Sequence, residues 1–392
     1  MSEESKNKRL LILGSGFSKA VSDKMPVVQE LVAPLNEKVE RDEELGALKN
    51  PRYQYLLSQP ELLLTYLSQD QPWKEPWETP KEWALFVRIS RWLAKHIEDC
   101  EDRAFKDQVP GWAKRLAQWL HKTKTSVITF NYDTVLERIC YRYVSVKVLG
   151  IDARSGQVIE ANQPIYSFNL YRLPLTIITH REAGTDHAPP QETFHLIKLH
   201  GSINWFYSGG EYFPGEQIYL REIDSESPKI DMTKIPEGYP PLPPGFDPKK
   251  ELERLLSDKA PLIIPPVAEK SRFYLNQTIR SLWGQAREYL AQAEEIYCVG
   301  YSLPDTDLTT KLLLQTACAG REKTLYIVNI VKGEKADDDK RALRDRYEKA
   351  FPPTVKIDDR FVYKLKEPDK HDKAVKDMTE FLCNLCEGVG QP

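Results

Sequence analysis

Short apolar runs alternate with helical stripes along most of the chain. The first run, Leu10 to Leu13, has four consecutive aliphatic residues and ends in a Gly-x-Gly turn. An uninterrupted apolar run of this length predicts a strand buried on both faces, as in a parallel sheet. Comparable runs occur at 126–130, 194–199, 262–264, 296–299 and 325–328. We therefore predict an α/β fold with a doubly wound, mainly parallel sheet.

The segment of about residues 45–122 differs in character from the rest of the chain. It contains six of the eight tryptophans, Trp73, Trp77, Trp83, Trp92, Trp112 and Trp119. Apolar residues recur in it at helical spacing, for example at Trp112, Leu116 and Trp119. We predict a helical subdomain inserted after the first strand and helix, with most of its tryptophans in the core.

Composition also characterises three later segments. A β-like run covers 164–170, without a clear place in the sheet. Residues 226–248 hold seven prolines, which exclude regular structure and favour a surface loop or mobile flap.

We assign 1–332 to the main domain, with its last strand at 325–328. Residues 333–392 are predicted to be a solvated charge run followed by an amphipathic helix, which either packs on the domain or binds a partner.

The turn after the first strand is a candidate for binding a phosphate. Its residues are Gly14, Ser15, Gly16, Phe17 and Ser18. Glycines allow backbone amides to approach a ligand, and a following helix would attract an anion, so a nucleotide is the first hypothesis. A tight strand-to-helix turn also needs glycine when no ligand binds. The phosphate loop of NTPases is excluded because Gly-Lys-Ser/Thr is absent, and the dinucleotide fingerprint because its third glycine would fall at Lys19.

Three further strands end in polar or small residues, at 131–133, 200–202 and 300–302. Each end alone is explained by helix capping, for which Ser, Asn and Asp are preferred. In open parallel sheets, however, ligands bind at the carboxyl ends of the strands. Taken with the first turn, the four strand ends predict one crevice lined by residues far apart in sequence.

The bulk composition does not indicate nucleic acid or a membrane as a partner. The 392 residues carry a net charge of -3, with acidic and basic residues interspersed. No apolar run approaches the ~20 residues that a bilayer requires. Six scattered cysteines favour reduced thiols, so we expect a cytoplasmic protein.

Metal-binding residues are not grouped as a metal site would require. Cys383 and Cys386 form the only closely spaced cysteine pair, and no second pair completes a four-thiolate site. The histidines between 180 and 200 match no metal-ligand spacing. We predict no metal.

The ordered set of strand ends resembles the sirtuin superfamily. More narrowly, it is similar to the sirtuin-like NADases of bacterial antiphage defence, over about residues 8–332. The tracts that carry the resemblance are Gly14 to Ser18, Thr129 to Asp133, Leu199 to Ser202, Pro265-Pro266 and Gly300 to Asp307. The resemblance implies a Rossmann-like fold of the sirtuin type and binding of NAD as the substrate.

The resemblance also implies roles for individual residues. Asn131 would orient the attacking water or the ribose, and His200 would act as a general base, for which imidazole suits neutral pH. Asp133 would seat the carboxamide of nicotinamide. The implied cofactor-binding residues are Gly14, Ser15, Gly16, Phe17, Ser18, Asp133, Gly201, Ser202, Gly300, Tyr301, Ser302, Leu303 and Asn329.

The chain departs from the protein-deacylating sirtuins, which carry a four-cysteine zinc module that is absent from this sequence. Deacylation is therefore not expected, and the resemblance implies hydrolysis of NAD+ to nicotinamide and ADP-ribose, in antiphage defence. Two alternatives stay open, a non-catalytic NAD or ADP-ribose sensor and an ADP-ribosyl or acyl transferase. A homo-oligomer, and a protein partner such as a HerA-type ATPase or an Argonaute-like protein, are also implied.

Overall fold

The computed structural model describes residues 8–151, 158–173, 176–178, 192–208, 218–221, 258–264, 273–305, 307–332, 336–365 and 372–387. Its strands are β1 Arg9–Leu13, β2 Ser126–Thr129, β3 Ser145–Ile151, β4 Val158–Pro164, β5 Thr176–Ile178, β6 Leu196–Lys198, β7 Gly201–Tyr207, β8 Ile218–Leu220, β9 Ala260–Ile263, β10 Glu295–Val299, β11 Lys323–Lys332 and β12 Val355–Leu365. Its α-helices are α1 Ser15–Val21, α2 Val32–Arg41, α3 Pro51–Leu57, α4 Pro60–Ser68, α5 Glu78–Ala104, α6 Gly111–Thr123, α7 Val135–Tyr143, α8 Ser167–Tyr171, α9 Gln277–Gln292, α10 Leu308–Ala317, α11 Ala336–Ala350 and α12 Lys373–Glu387.

The main sheet has six strands in the order β12-β11-β10-β1-β2-β6. Every neighbouring pair is parallel. Numbered along the chain, the order is 6-5-4-1-2-3, which is the Rossmann order, and it reverses between β1 and β10. The predicted doubly wound, mainly parallel sheet is therefore confirmed. Its ligand crevice is expected outside the carboxyl ends of β1 and β10.

The apolar composition of the central strands follows from their burial on both faces. Leu10 to Leu13 are at most 2% exposed, and Ile296 to Val299 at most 1%. Two groups of packed helices cover the sheet. One group contains α1, α6, α7 and α12, and the other contains α9, α10 and α11.

The helices α2 to α6 lie between β1 and β2 in the chain. Within this insertion Trp83, Trp112 and Trp119 are buried, as predicted from their spacing, whereas Trp73 and Trp77 are 70% and 65% exposed. The two exposed tryptophans precede α5 and therefore lie outside the helical stripe. Helix α5 packs on β7 and β9, which belong to a second sheet of order β5-β8-β7-β9.

The structure differs from the sequence-based prediction at three places. Helix α8 begins within the β-like run at 164–170, and α11 lies in the first part of 333–392, which was predicted to be a solvated charge run. The strand at 325–328 is not the last, because β12 pairs with β11 at the edge of the main sheet. The Pro-rich loop at 226–248 and the Pro265-Pro266 tract lie outside the described residues. Within the described part of the chain, no helix is long and apolar enough to cross a membrane.

Candidate functional site

A cavity opens at the point where the strand order reverses. Strand ends supply Gly14, Ser15, Phe130, Asn131, Tyr132, Asp133, His200, Gly300, Tyr301, Ser302, Pro304 and Asp307 to its wall. The segment after α1 and the helical insertion supply Met25, Pro26, Val28, Leu31, Glu61 and Ile97. The four strand ends predicted to form one crevice thus all contribute residues to one cavity.

Glycines allow the turns after β1 and β10 to touch. Gly300 has a φ of 61°, which L-residues with a side chain rarely adopt, and its carbonyl accepts from the amide of Gly16 at 2.9 Å. A Cβ on Gly300 would lie 2.3 Å from the backbone nitrogen of Phe17. The glycines are therefore required by the close approach of two backbones.

The turn that contains Gly14 is held by three backbone hydrogen bonds, two of them to the end of β10 and the turn that follows it. The amides of Gly14, Gly16 and Phe17 donate to Val299, Gly300 and Gly14 carbonyl oxygens, each at 2.9 Å. The ring of Phe17 is buried edge-on against Trp112. Among the five residues of this turn predicted to bind the cofactor, Gly14 and Ser15 face the cavity and the other three do not.

Asn131 stands at the end of β2 in a defined orientation. Its Nδ2 donates to the carbonyl of Gly14 at 3.0 Å and to Oγ of Ser18 at 3.1 Å. The Ser18 hydroxyl in turn donates to Asp133 Oδ2 at 2.7 Å. Both amide protons are thus used by the protein, so Oδ1 is the atom with which Asn131 can accept a hydrogen bond in the cavity.

Asp133 is held by this chain and by the start of α7. Its Oδ1 accepts from the amide of Val135 at 3.2 Å. Burial raises the pKa of Asp133 above its usual 3.8, although nearby Lys198 and the Ser18 hydroxyl act in the opposite direction. Its proton affinity is therefore higher than that of an exposed aspartate.

His200 occupies the tight turn between β6 and β7, where the chain leaves the main sheet for the second one. The imidazole is 2% exposed and lies among aromatic rings, with centroids of Phe130 and Tyr132 at 5.0 and 6.4 Å. Its Nε2 is 3.8 Å from Oδ2 of Asp307. A histidine beside a buried carboxylate can accept a proton, because the carboxylate stabilises the imidazolium that forms.

Asp307 was not predicted as a site residue. Its Oδ2 accepts from the Tyr301 hydroxyl at 3.0 Å and from the Thr310 hydroxyl at 2.7 Å. Its Oδ1 accepts from the Thr310 amide at 3.4 Å, so Asp307 also caps α10. Burial is the main cause that raises the pKa of Tyr301 well above 10, which keeps this phenol protonated as a donor. The sequence indicates only that an aspartate directly precedes the helix at Leu308 and can cap it. It does not indicate that the loop after β10 brings this aspartate next to His200.

Several residues predicted to bind the cofactor lie behind the cavity wall. Ser202 Oγ donates to the carbonyl of Tyr132 at 3.3 Å, and Asn329 Nδ2 donates to that of Tyr301 at 3.4 Å. Leu303 is fully buried with a φ of 49°. Gly201 has a φ of 77° and packs on the Leu262 carbonyl. Ser202 and Asn329 thus support wall residues. Direct contact of these four residues with a ligand stays a prediction, as it does for Gly16, Phe17 and Ser18.

The cavity has an acidic character that the sequence analysis did not anticipate in full. Glu61 from α4 joins Asp133 and Asp307 in its wall. The half-buried Tyr132 lies near both Glu61 and Asp307, and desolvation followed by these two charges raises its pKa well above 10. Among the described residues, no group of three or more His, Cys, Asp or Glu side chains is arranged to hold a metal ion.

Comparison with known proteins gives only distant similarities. No family profile matches the chain, and no curated protein matches it. Among solved structures, a Sir2 homologue in complex with NAD is 12% identical with a TM-score of 0.37, and the match covers 97% of this chain and 91% of that one. A mutant Sir2 homologue with ADP-ribose is also 12% identical with a TM-score of 0.37, over 99% of this chain and 98% of that one. Since these scores are low, the fold described above rests on the strand order of the sheet.

Proposed function

We propose that the protein is an NAD+ glycohydrolase that converts NAD+ and water to nicotinamide, ADP-ribose and a proton. One observation carries this proposal: Asn131 and His200, from the ends of β2 and β6, line a single cavity at the reversal of the strand order. The sequence resemblance to sirtuin-like NADases supplies the substrate. The reversal point is also where Rossmann-type sheets bind nucleotides.

The acidic wall suits the chemistry of the reacting ribose. Breaking the bond between nicotinamide and ribose leaves an oxocarbenium-like cation, as in glycoside hydrolysis. The carboxylates of Glu61, Asp133 and Asp307 line the cavity and would stabilise developing positive charge. The apolar side chains of Met25 and Ile97 also line the cavity and would limit the access of bulk water.

Water is activated in this proposal by Asn131 and His200 together. Asn131 Oδ1 accepts a hydrogen bond from the attacking water or from a ribose hydroxyl, because its two amide protons are bound by Gly14 and Ser18. His200 takes a proton from that water or hydroxyl, and Asp307 stabilises the imidazolium. The remaining cavity residues Ser15, Gly300 and Ser302 are proposed to contact the phosphates and the far ribose.

Incubation of the pure protein with NAD+ tests the proposal. Nicotinamide and ADP-ribose are expected in equal amounts, as measured by chromatography. NADH is the matched control, because its uncharged dihydronicotinamide is a poor leaving group and should not be released. Tight binding of NAD+ without release, alone or with a partner protein, would contradict hydrolysis and favour the sensor alternative. Transfer of ADP-ribose or an acyl group to protein would instead favour the transferase alternative.

A role in antiphage defence, as a homo-oligomer and with an ATPase or Argonaute-like partner, is proposed on the sequence resemblance alone. Its test is the NAD+ content of cells during phage infection. Cells with the wild-type protein should lose NAD+, and cells with His200→Ala should retain it. Equal NAD+ content in both would contradict the defensive role while leaving the hydrolysis assay unaffected.

A further inference from the structure

The buried carboxylate of Glu101 connects the helical insertion to the site. Glu101 lies near the end of α5 and is fully buried. Its Oε1 accepts from the backbone amide of Thr134, and its Oε2 accepts from the Thr134 hydroxyl at 2.7 Å. Thr134 is the residue that joins the Asn131-Tyr132-Asp133 loop to α7. The mechanism proposed above does not use Glu101.

The Glu101 side chain provides a hydrogen-bond acceptor for the N-terminal end of α7, although it belongs to another helix. Thr134 is the N-cap of α7, and its own side chain makes no capping hydrogen bond. The first amides of a helix lack partners within it, and a carboxylate is favourable there because of the helix dipole. Glu101 binds the Thr134 amide, and Asp133 binds that of Val135. The loop that carries Asn131 therefore ends at a junction fixed by two carboxylates.

Arg138 of α7 completes this junction. Its Nε lies 2.8 Å from Glu101 Oε2, and its Nη1 donates to Asp102 Oδ1 at 2.8 Å. The two acidic residues are neighbours on α5, but their positions differ. The Asp102 side chain is 54% exposed and, among the residues of this junction, contacts Arg138 alone. Glu101 contacts both Arg138 and Thr134. The pair provides a matched comparison within one helical turn.

We propose that Glu101 is a positioning residue that holds the Asn131 loop in its reactive geometry through Thr134. The inference rests on the proposed function, because Asn131 matters only if its amide faces a reacting group. Loss of the Glu101 contacts frees the end of the loop, three residues from Asn131. A displacement of about 1 Å in a reacting group lowers the rate about 10²-fold.

The test compares Glu101→Gln with Asp102→Asn. Glutamine keeps the shape of the side chain but places an amide donor among the donors of Thr134 and Arg138. We expect kcat for NAD+ to fall by about 10²-fold in Glu101→Gln with little change in KM. Asp102→Asn should stay close to wild type, and Thr134→Ser, which keeps the hydroxyl, should retain the activity that Thr134→Val loses. Equal kcat values in folded Glu101→Gln and Asp102→Asn would overturn the inference.

Hydrogen exchange of the amides at 131–134 provides a readout that does not depend on turnover. Exchange should be faster in Glu101→Gln than in wild type and unchanged in Asp102→Asn. If the wild type releases no nicotinamide, the proposed function fails, and the exchange data still decide whether Glu101 fixes the loop. Unchanged exchange in Glu101→Gln would overturn the inference in either case.

Discussion

The imidazole Nε2 of His200 lies 3.8 Å from the carboxylate oxygen Oδ2 of Asp307, and both side chains are buried. The two residues follow different strands of the main sheet, since His200 comes directly after β6 and Asp307 lies in the loop between β10 and α10. The carboxylate is itself oriented by the hydroxyls of Tyr301 and Thr310. This arrangement gives the proposed base a fixed neighbour of opposite charge.

Removal of that charge should impair turnover. In Asp307→Asn the imidazolium loses its stabilising carboxylate, so kcat/KM should fall by about tenfold or more, which equals about 1.4 kcal/mol. Asparagine is an equally good N-cap, so α10 is preserved.

Asp305→Asn is the control for this variant. Its side chain is 85% exposed and pairs with Lys311, so the change removes the same charge from the same loop without touching His200. Steady-state rates of nicotinamide release provide the measurement. Equal kcat/KM values for the two variants would mean that Asp307 does not act on the base.

The contact between the two glycine turns predicts a stability effect. Gly300→Ala should destabilise the protein by more than the ~1–2 kcal/mol that a left-handed backbone costs an L-residue, because its Cβ also meets Phe17 and Gly16 backbone atoms at 2.3 and 2.4 Å. Gly320 has a φ of 85° and no atom near its would-be Cβ, so Gly320→Ala should show the backbone cost alone. Urea unfolding measures both, and equal destabilisation would contradict the described turn contact.

The sequence predicted the main sheet well because its strands are buried on both faces and are therefore unbroken apolar runs. Strand β12 could not be found in this way. The alternation of apolar and polar residues in β12 is interrupted at Asp358, Asp359 and Arg360. At this point the pairing with β11 shifts register, between Tyr326 and Val328 of β11. A bulge of this kind adds a residue to one strand and removes the regular period that reveals a strand in sequence.

The candidate site was predictable only where topology determines it. Strand ends converge at one edge of a parallel sheet, so the meeting of Gly14, Asn131, His200 and Gly300 follows from the strand order. The positions of Asp307 and Glu61 do not, because a loop and an inserted helix reach the cavity through tertiary packing. Gly16 and Ser202 are not among the lining residues for a different reason, because adjacent residues of a turn point in different directions.

A buried ion pair beneath the site gives a third prediction. Lys198 is fully buried, and its Nζ pairs with Glu137 Oε1 at 2.9 Å and donates to the Asp133 carbonyl. Lys198→Met should destabilise the fold by about 3–5 kcal/mol, because Glu137 keeps an uncompensated buried charge. The double variant Lys198→Met with Glu137→Gln should recover part of this loss. If Lys198→Met is as stable as wild type in urea, the pair of Lys198 and Glu137 does not stabilise the loop that contains Asp133.

Glu101 should make the stability of the protein depend on pH. Burial, the largest cause, raises its pKa from 4.5 to about 7, against the opposing effects of Arg138 and Thr134 and with the help of Asp133. A carboxyl whose pKa is raised by folding contributes stability at low pH and loses it as pH rises toward 7. The free energy of unfolding of wild type relative to Glu101→Gln should therefore decrease between about pH 5 and about pH 8. Urea unfolding of wild type and Glu101→Gln at both pH values measures this difference in the free energy of unfolding. The same difference at both pH values would contradict the raised pKa of Glu101.

The most direct measurement is the rate of nicotinamide release from NAD+ by the wild type, Asn131→Ala and His200→Ala under single-turnover conditions, with folding of each variant checked by circular dichroism. The account predicts release by the wild type and a decrease of about 10²–10⁴-fold in each folded variant, because one alanine removes the acceptor that orients the nucleophile and the other removes the base. Release at the wild-type rate by either folded variant would contradict the role given to that residue, and unchanged rates in both would show that the reaction takes place elsewhere in the protein.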